Sequence, residues 1–170
     1  MEPKVSIIMG STSDLEIMQK AADLLNEFKI PFELNALSAH RTPDKVMKFA
    51  KEAQDRGVKV IIAGAGGAAH LPGVVASITP LPVIGVPIRS SISLDGWDSV
   101  LSILQMPPGI PVATVGTDAA RNAAILATQI LALTDENIMK TMENYKAGLV
   151  QKITKANDDL AEVKYPYKTN

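Results

Sequence analysis

Three short stretches of this chain hold residue types that can do chemistry. Gly10-Ser11-Thr12-Ser13-Asp14 is small, rich in hydroxyls and ends in a carboxylate. If it opens a helix, its backbone N–H groups and the hydroxyls of Ser11 and Ser13 make an anion site suited to phosphate. Asp14 would repel a phosphate at close range, so it suits a sugar hydroxyl or an amine. A plain capped helix start would use the same residues. Ser38-Ala39-His40-Arg41-Thr42-Pro43 joins a side chain that exchanges protons near neutral pH to a planar cation that grips phosphate or carboxylate. Taken alone, the pair reads equally as a surface His-Arg ahead of a helix. The third stretch, Gly64-Ala65-Gly66-Gly67-Ala68-Ala69-His70-Leu71-Pro72-Gly73, offers mostly bare backbone. It suits close approach to a small planar group such as a carboxylate or carbon dioxide. It departs from a dinucleotide fingerprint, because Ala69 replaces the third glycine and no acidic residue follows at the required distance. His70 reads first as a hydrogen bond that stabilises the loop.

What is missing narrows the field. The chain has no cysteine, which removes disulfides, thiolate nucleophiles and Cys-held metals, and its two histidines alone make no metal cluster. No Gly-Lys-Ser/Thr phosphate loop is present, so the first stretch fits a monophosphate better than a nucleoside triphosphate. With 17 Lys plus Arg against 18 Asp plus Glu, nothing suggests a nucleic-acid footprint. From Val60 to Ile88 no Asp, Glu, Lys or Arg occurs, yet five glycines and four prolines cut the stretch into pieces unlike a membrane helix. The start of the chain has no basic, then apolar, secretory pattern, so the expected compartment is the cytoplasm. A length of 170 residues predicts one domain, residues 1–170.

These loops need elements to hold them. Apolar runs at 5–9, 32–36, 58–63, 83–86 and 111–114 read as strands, several nearly continuous in Val, Ile and Ala, as in a parallel sheet covered on both faces. Between the first two, Leu15, Met18, Ala21, Ala22 and Leu25 follow a helical period, with Ser13 and Glu16 as a capping box. Thr42 and Pro43 suit the cap and first position of a second helix, buried through Val46, Phe49, Ala50 and Ala53. Ala119–Leu133 predicts a mostly buried helix. Thr134 is expected to cap a further helix over about 135–160, with the stripe Ile138, Met142, Tyr145, Leu149 and Ile153. That helix outruns one small sheet, so it either packs on another subunit or overhangs. Residues 163–170 read as a tail. The pattern predicts an α/β three-layer sandwich with a five-stranded parallel sheet in the flavodoxin-like order 2-1-3-4-5. All three loops then open at the carboxyl edge of the sheet. Met106 is expected to pack, whereas Gln105 could reach a pocket of this subunit or another. From the residues alone, this is a cofactor-free enzyme acting on a small phosphorylated metabolite by acid–base chemistry.

The three stretches, together with Ser-Ile-Leu-Gln-Met-Pro-Pro-Gly-Ile-Pro-Val at 102–112, resemble the catalytic-subunit family of phosphoribosylaminoimidazole carboxylase, and within it the bacterial mutase class. The likeness is colinear from about Val5 to Leu133. It implies a homo-octamer with active sites near subunit contacts, and no ATP, metal or organic cofactor. The implied reaction moves a carboxylate from the exocyclic nitrogen of a phosphorylated aminoimidazole ribonucleotide to ring carbon 4, downstream of an ATP-dependent synthetase. His40 matches the catalytic histidine. Ser11, Ser13 and Arg41 would hold the phosphate and Asp14 the ribose hydroxyls. Ser38, Ala39, Ala65, Gly66, His70 and Leu71 would line the pocket for the base and the migrating carboxylate. A second class of the family fixes free carbon dioxide directly; it typically has Lys after the catalytic His and lacks the Gly-Gly-Ala-Ala-His-Leu-Pro-Gly run, so Arg41 and residues 66–73 follow the mutase pattern. Arg89, where Gln is common, and Thr114-Val115-Gly116, in place of Ala-Ile-Gly, depart from it. The rival class is a nucleotide- or flavin-binding module on the same fold. It leaves His40 and Arg41 idle, and no Phe, Trp or Tyr in the three loops would stack on a flavin.

Overall fold

The computed structural model describes residues 1–170. Strands β1 (Val5–Met9), β2 (Phe32–Ala36), β3 (Val60–Gly66), β4 (Val83–Ile88) and β5 (Ala113–Thr114) form one sheet in the order β2-β1-β3-β4-β5. Every neighbouring pair is parallel. The expected order is therefore the observed one.

Burial follows from strand position. β1 and β4 are buried at every residue and β3 at all but its last, whereas the edge strand β2 is half exposed. Along β1 the side chains alternate between two cores. Val5, Ile7 and Met9 pack with Met18, Ala21, Leu24 and Leu25 of α1 (Leu15–Glu27) and with Ala120, Ala123, Ala124 and Ala127 of α5 (Ala120–Ala132). Ile8 faces the other core with Val46, Phe49 and Ala50 of α2 (Pro43–Lys51), Val75 of α3 (His70–Ala76) and Ile103 of α4 (Trp97–Leu104). Each fully buried side chain of this size contributes roughly 1.5–3 kcal/mol. No helix is long and apolar enough to cross a membrane.

Several boundaries differ from expectation, each for a local reason. The Ser13–Glu16 capping box does not form. Ser11 instead caps a 3-10 turn over Thr12–Asp14, accepting from the Ser13 N–H, and Asp14 takes the cap position of α1. At the second helix Pro43 is the first residue as expected, but the Thr42 hydroxyl turns back, accepting from the Ser38 N–H at 3.0 Å and donating to the Ser38 carbonyl at 3.1 Å. For the last helix, α6 (Glu136–Ala161), the cap is Asp135 rather than Thr134. Its carboxylate accepts from the N–H groups of Asn137 and Ile138 at 3.0 and 3.2 Å, a stronger charge-assisted cap than a hydroxyl gives. The long helix keeps only half of its stripe in contact. Met142 is buried and Tyr145 meets Phe28 edge-on at 5.3 Å, while Leu149 and Ile153 are 44% and 73% exposed.

The glycine-rich run is not one loop. Gly64, Ala65 and Gly66 continue β3, and His70 begins a helix of seven residues that accepts Pro72 in its first turn. β4 likewise runs on to Ile88, with Pro87 opposite Ala65, while β5 shrinks to two residues. Glycine lets the layers close up at Gly85. A Cβ there would run into the Cγ2 of Ile103 and lie 3.0 Å from Val112. Ile103 is 1% exposed and stiff at χ1, so it has little room to yield. Gly85→Ala should therefore lower stability by ~1–3 kcal/mol, as overpacking does. Thermal melting checks this, and an unchanged Tm would mean that α4 moves freely on the sheet.

Candidate functional site

Parallel strands place all their carboxyl ends on one edge, and the loops leaving that edge surround a cavity of about 540 Å3. Its wall contains Ser11, Ser13 and Asp14 beyond β1; Ser38, Ala39, His40 and Arg41 beyond β2; and Ala65, Gly66, His70 and Leu71 at the end of β3 and the start of α3. Every residue singled out from the sequence as a site residue thus lies on one wall. A second cavity of about 440 Å3 lies at the opposite edge, among Lys4, Lys29, Lys59, Phe28 and Asp135. It is lined by no histidine and by none of the site residues expected from the sequence.

Arg41 ties the first two loops together. Its Nη2 donates to the Gly10 carbonyl at 3.2 Å and its Nε to Ser38 Oγ at 3.4 Å. The Arg41 backbone N–H also donates to Ser38 Oγ, at 3.2 Å. These contacts fix the guanidinium at the Gly10 carbonyl, just ahead of Ser11, and leave Nη1 for a ligand. Together with the hydroxyls this set matches an oxyanion with several acceptor atoms. Asp14, the last residue of the Thr12–Asp14 turn, is 9% exposed. Burial raises the Asp14 carboxyl above its usual range, opposed by hydrogen bonds from the Ser13 hydroxyl and the Ser11 backbone. Ser13 Oγ donates to Asp14 Oδ1 at 3.3 Å.

The second feature is a histidine pair. His40 Nε2 and His70 Nδ1 are 2.8 Å apart, with the rings crossing at 83°. One proton joins the two nitrogens, so one ring donates and the other accepts. The direction of His70 is set by the backbone before it. Ala69 sits in the left-handed region at φ 42°, after Gly67 at φ 60°. The Ala68 carbonyl accepts from the Ser102 hydroxyl on α4, which anchors the turn. His70 does stabilise its surroundings by a hydrogen bond, but the partner is the other histidine across the cavity. No three His, Cys, Asp or Glu side chains converge where a metal ion could be held.

A family model described as AIR carboxylase matches residues 4–152. The chain belongs to this family. It is 56% identical over 147 residues to an N5-carboxyaminoimidazole ribonucleotide mutase of Pyrococcus abyssi, covering 86% of this chain and 84% of that protein. A protein of the same name from Thermotoga maritima is 52% identical over 163 residues, 96% of this chain and 95% of that one. The crystal structure of Treponema denticola PurE superposes with a TM-score of 0.83 at 34% identity, covering 93% of this chain and 98% of that one. The cavity also takes in Ser90, Ser91 and Ile92, beyond β4. They are absent from the three stretches that the sequence marks out. The rule that ligands bind where strands end could have found them. Gln105 is exposed and Arg89 pairs with Asp95 at 3.4 Å, and neither lines the cavity. Met106 packs on Gly73, as expected: a Cβ there would lie 2.9 Å from its sulfur.

Asp14 gives a test with a definite sign. A carboxyl raised in the folded state favours folding while protonated, and that contribution is lost as pH rises through the folded value. Asp14→Asn should therefore raise the Tm of the unliganded protein at pH 7, with the gain shrinking towards pH 3. Melting curves at the two pH values check it, and a lower Tm at pH 7 would mean that the carboxylate is a net stabilising group.

Proposed function

We propose that this chain is a mutase of purine biosynthesis, converting N5-carboxyaminoimidazole ribonucleotide to 4-carboxy-5-aminoimidazole ribonucleotide. The observation that carries this reading is one cavity holding a phosphate-type donor set at one end and a hydrogen-bonded histidine pair beside bare backbone at the other. The mutase name of its relatives, over nearly their whole lengths, supports it.

In this reading Ser11, Ser13 and Arg41 hold the 5′-phosphate and Asp14 accepts from the ribose hydroxyls. Ser38, Ala39, Ala65, Gly66 and Leu71 enclose the aminoimidazole ring. In the first step the bond from the exocyclic nitrogen to the carboxyl carbon breaks. The electron pair goes to nitrogen, which takes a proton from His40, and carbon dioxide stays in the cavity. In the second step the electron-rich ring carbon attacks the carbon dioxide, and the proton displaced from that carbon returns to His40. The proton balance is zero, so one acid–base group serves both steps. His70 holds the His40 ring in place and shares its proton. The alternative, direct fixation of free carbon dioxide, uses only the second step.

The same proposal includes a homo-octamer in the cytoplasm, supplied by an ATP-dependent synthetase. Support for assembly comes from the segment beyond the cavity, where Ile92, Leu94 and Trp97 are 83%, 76% and 66% exposed and Leu101 and Leu104 are also exposed. A monomer seldom leaves so much apolar surface on one short segment. A partner copy seated there would lie beside Ile92, which is itself in the cavity wall.

The deciding experiment offers two substrates without ATP or metal. Fast conversion of the N-carboxylated ribonucleotide alone is the expected outcome; efficient use of the uncarboxylated ribonucleotide with bicarbonate would make the chain a direct carboxylase. His40→Asn should abolish turnover in the same assay while leaving the melting curve and ligand binding near wild type. Wild-type turnover by that variant would remove His40 from the chemistry.

A further inference from the structure

Of the cavity's five serines, Ser91 is exposed and open to water, and among the other four one stands apart. Ser11 Oγ accepts from the Ser13 N–H, Ser13 Oγ donates to Asp14, and Ser38 Oγ accepts twice from Arg41. Ser90 Oγ is buried yet has no hydrogen-bond partner, although Ser90 lines the cavity. A buried hydroxyl left unpaired costs about 1–3 kcal/mol. The cost disappears if a ligand completes the bond. The Oγ atom is closed to water against Gly66, and a turn about χ1 brings it to the cavity that Ser90 lines.

Its place in the sheet says which end of the ligand it meets. The phosphate-type donors follow β1 and β2, whereas Ser90 follows β4, two strands further across the sheet from β1. Neighbouring strands lie about 4.8 Å apart, so Ser90 is roughly 10 Å from the phosphate end. That is the span from a 5′-phosphate to the far side of a ribose-linked five-membered ring. Ser90 also packs against Gly66, where a Cβ would come 2.9 Å from its Cβ and 3.3 Å from its Oγ. The hydroxyl therefore lies beside the bare end of β3.

We infer that Ser90 Oγ donates a hydrogen bond to the carboxylate carried by the aminoimidazole ring and so distinguishes the carboxylated ligand from the uncarboxylated one. The inference rests on the mutase reading of the cavity and adds a residue to it. A carboxylate is the ligand group at that end best able to reward a neutral donor, because bonds to ionised acceptors are the stronger ones. The absence of a competing cation fits the chemistry. Arg89, the nearest arginine in sequence, is turned to Asp95. A cation would stabilise the bound carboxylate and oppose its loss as carbon dioxide. A hydroxyl can hold both the carboxylate and the released carbon dioxide with a smaller penalty.

The test measures binding of two ligands to the full chain: 4-carboxy-5-aminoimidazole ribonucleotide and the uncarboxylated ribonucleotide. Ser90→Ala should weaken the carboxylated ligand roughly ten- to a hundredfold, the worth of a hydrogen bond to a charged group. The uncarboxylated ligand should bind as it does to wild type, which also shows that the variant is folded. Ser90→Cys, with a weaker donor in the same place, should fall between and serves if the alanine variant does not fold. Equal losses for both ligands, or none for either, would overturn the role of Ser90 while leaving the mutase reading intact. A wild-type chain that binds neither ribonucleotide would overturn the mutase reading, and Ser90 with it.

Discussion

A parallel sheet buried on both faces can present a ligand only with its edges. Here the side chains of β1, β3 and β4 are spent on two cores, and the helices cover both surfaces. What remains is the line of strand ends, where each chain segment turns out of the sheet toward a helix. Register then decides what meets there. Met9 lies opposite Gly64, and Gly66 opposite Ile88, so β3 and β4 reach further along the edge than β1. The cavity is the step between them. Ser11, Ser13 and Arg41 are on the lower side and the bare backbone of β3 on the upper. Nothing but a residue without a Cβ fits at the top of the step, because a Cβ on Gly66 would lie 2.9 Å from the Ile88 carbonyl oxygen.

That step separates two kinds of chemistry. On the lower side Arg41 binds its own loops through Gly10 and Ser38, so a ligand finds the cation already oriented. On the upper side no charged side chain faces the ligand except through the histidine pair. The strain needed to aim His70 is confined to a non-glycine residue at positive φ, Ala69, held by Ser102 from the adjacent helix. Buried Asp14 is a further local cost at the same place. Active sites commonly carry such costs, and here the two large cores on either side of the sheet offset them.

Strand order, the two cores and the loops that form the cavity were legible because period and punctuation speak directly to packing. Less was legible where one residue type serves two structures. Gly64-Ala65-Gly66 looks like a loop because glycine is a poor strand former, yet it lies in a central strand where Met18 and Ile88 leave no space for side chains. The helix from His70 is too short, and too rich in Gly and Pro, to show a period. Caps failed for another reason. Ser11, Ser13 and Asp14 can all cap, as can Thr134 and Asp135, and only the backbone geometry chooses among them. The pairing of His40 with His70 had no local signal, since the residues are 30 apart and meet only through the sheet order.

The outer end of α6 poses a question of length. At 1.5 Å per residue its 26 residues run about 39 Å, whereas the 13 residues of α5 beneath it run about 20 Å. Contact therefore ends near Tyr145, and Leu149, Val150, Ile153 and Leu160 extend beyond any support from their own subunit. A helix of this kind is stable in isolation only marginally, and it gains most from a partner that covers its apolar face. The other uncovered apolar segment, Ile92 to Leu104, begins in the cavity wall. The proposed assembly makes these two facts one. The surfaces that a single subunit leaves unpaired are those that a neighbour would cover, and covering the second would shield the end of the cavity from water. Exclusion of water matters most where a released carbon dioxide must wait for a carbon nucleophile. In the proposed assembly, the contacts that stabilise the oligomer would thus also close the site.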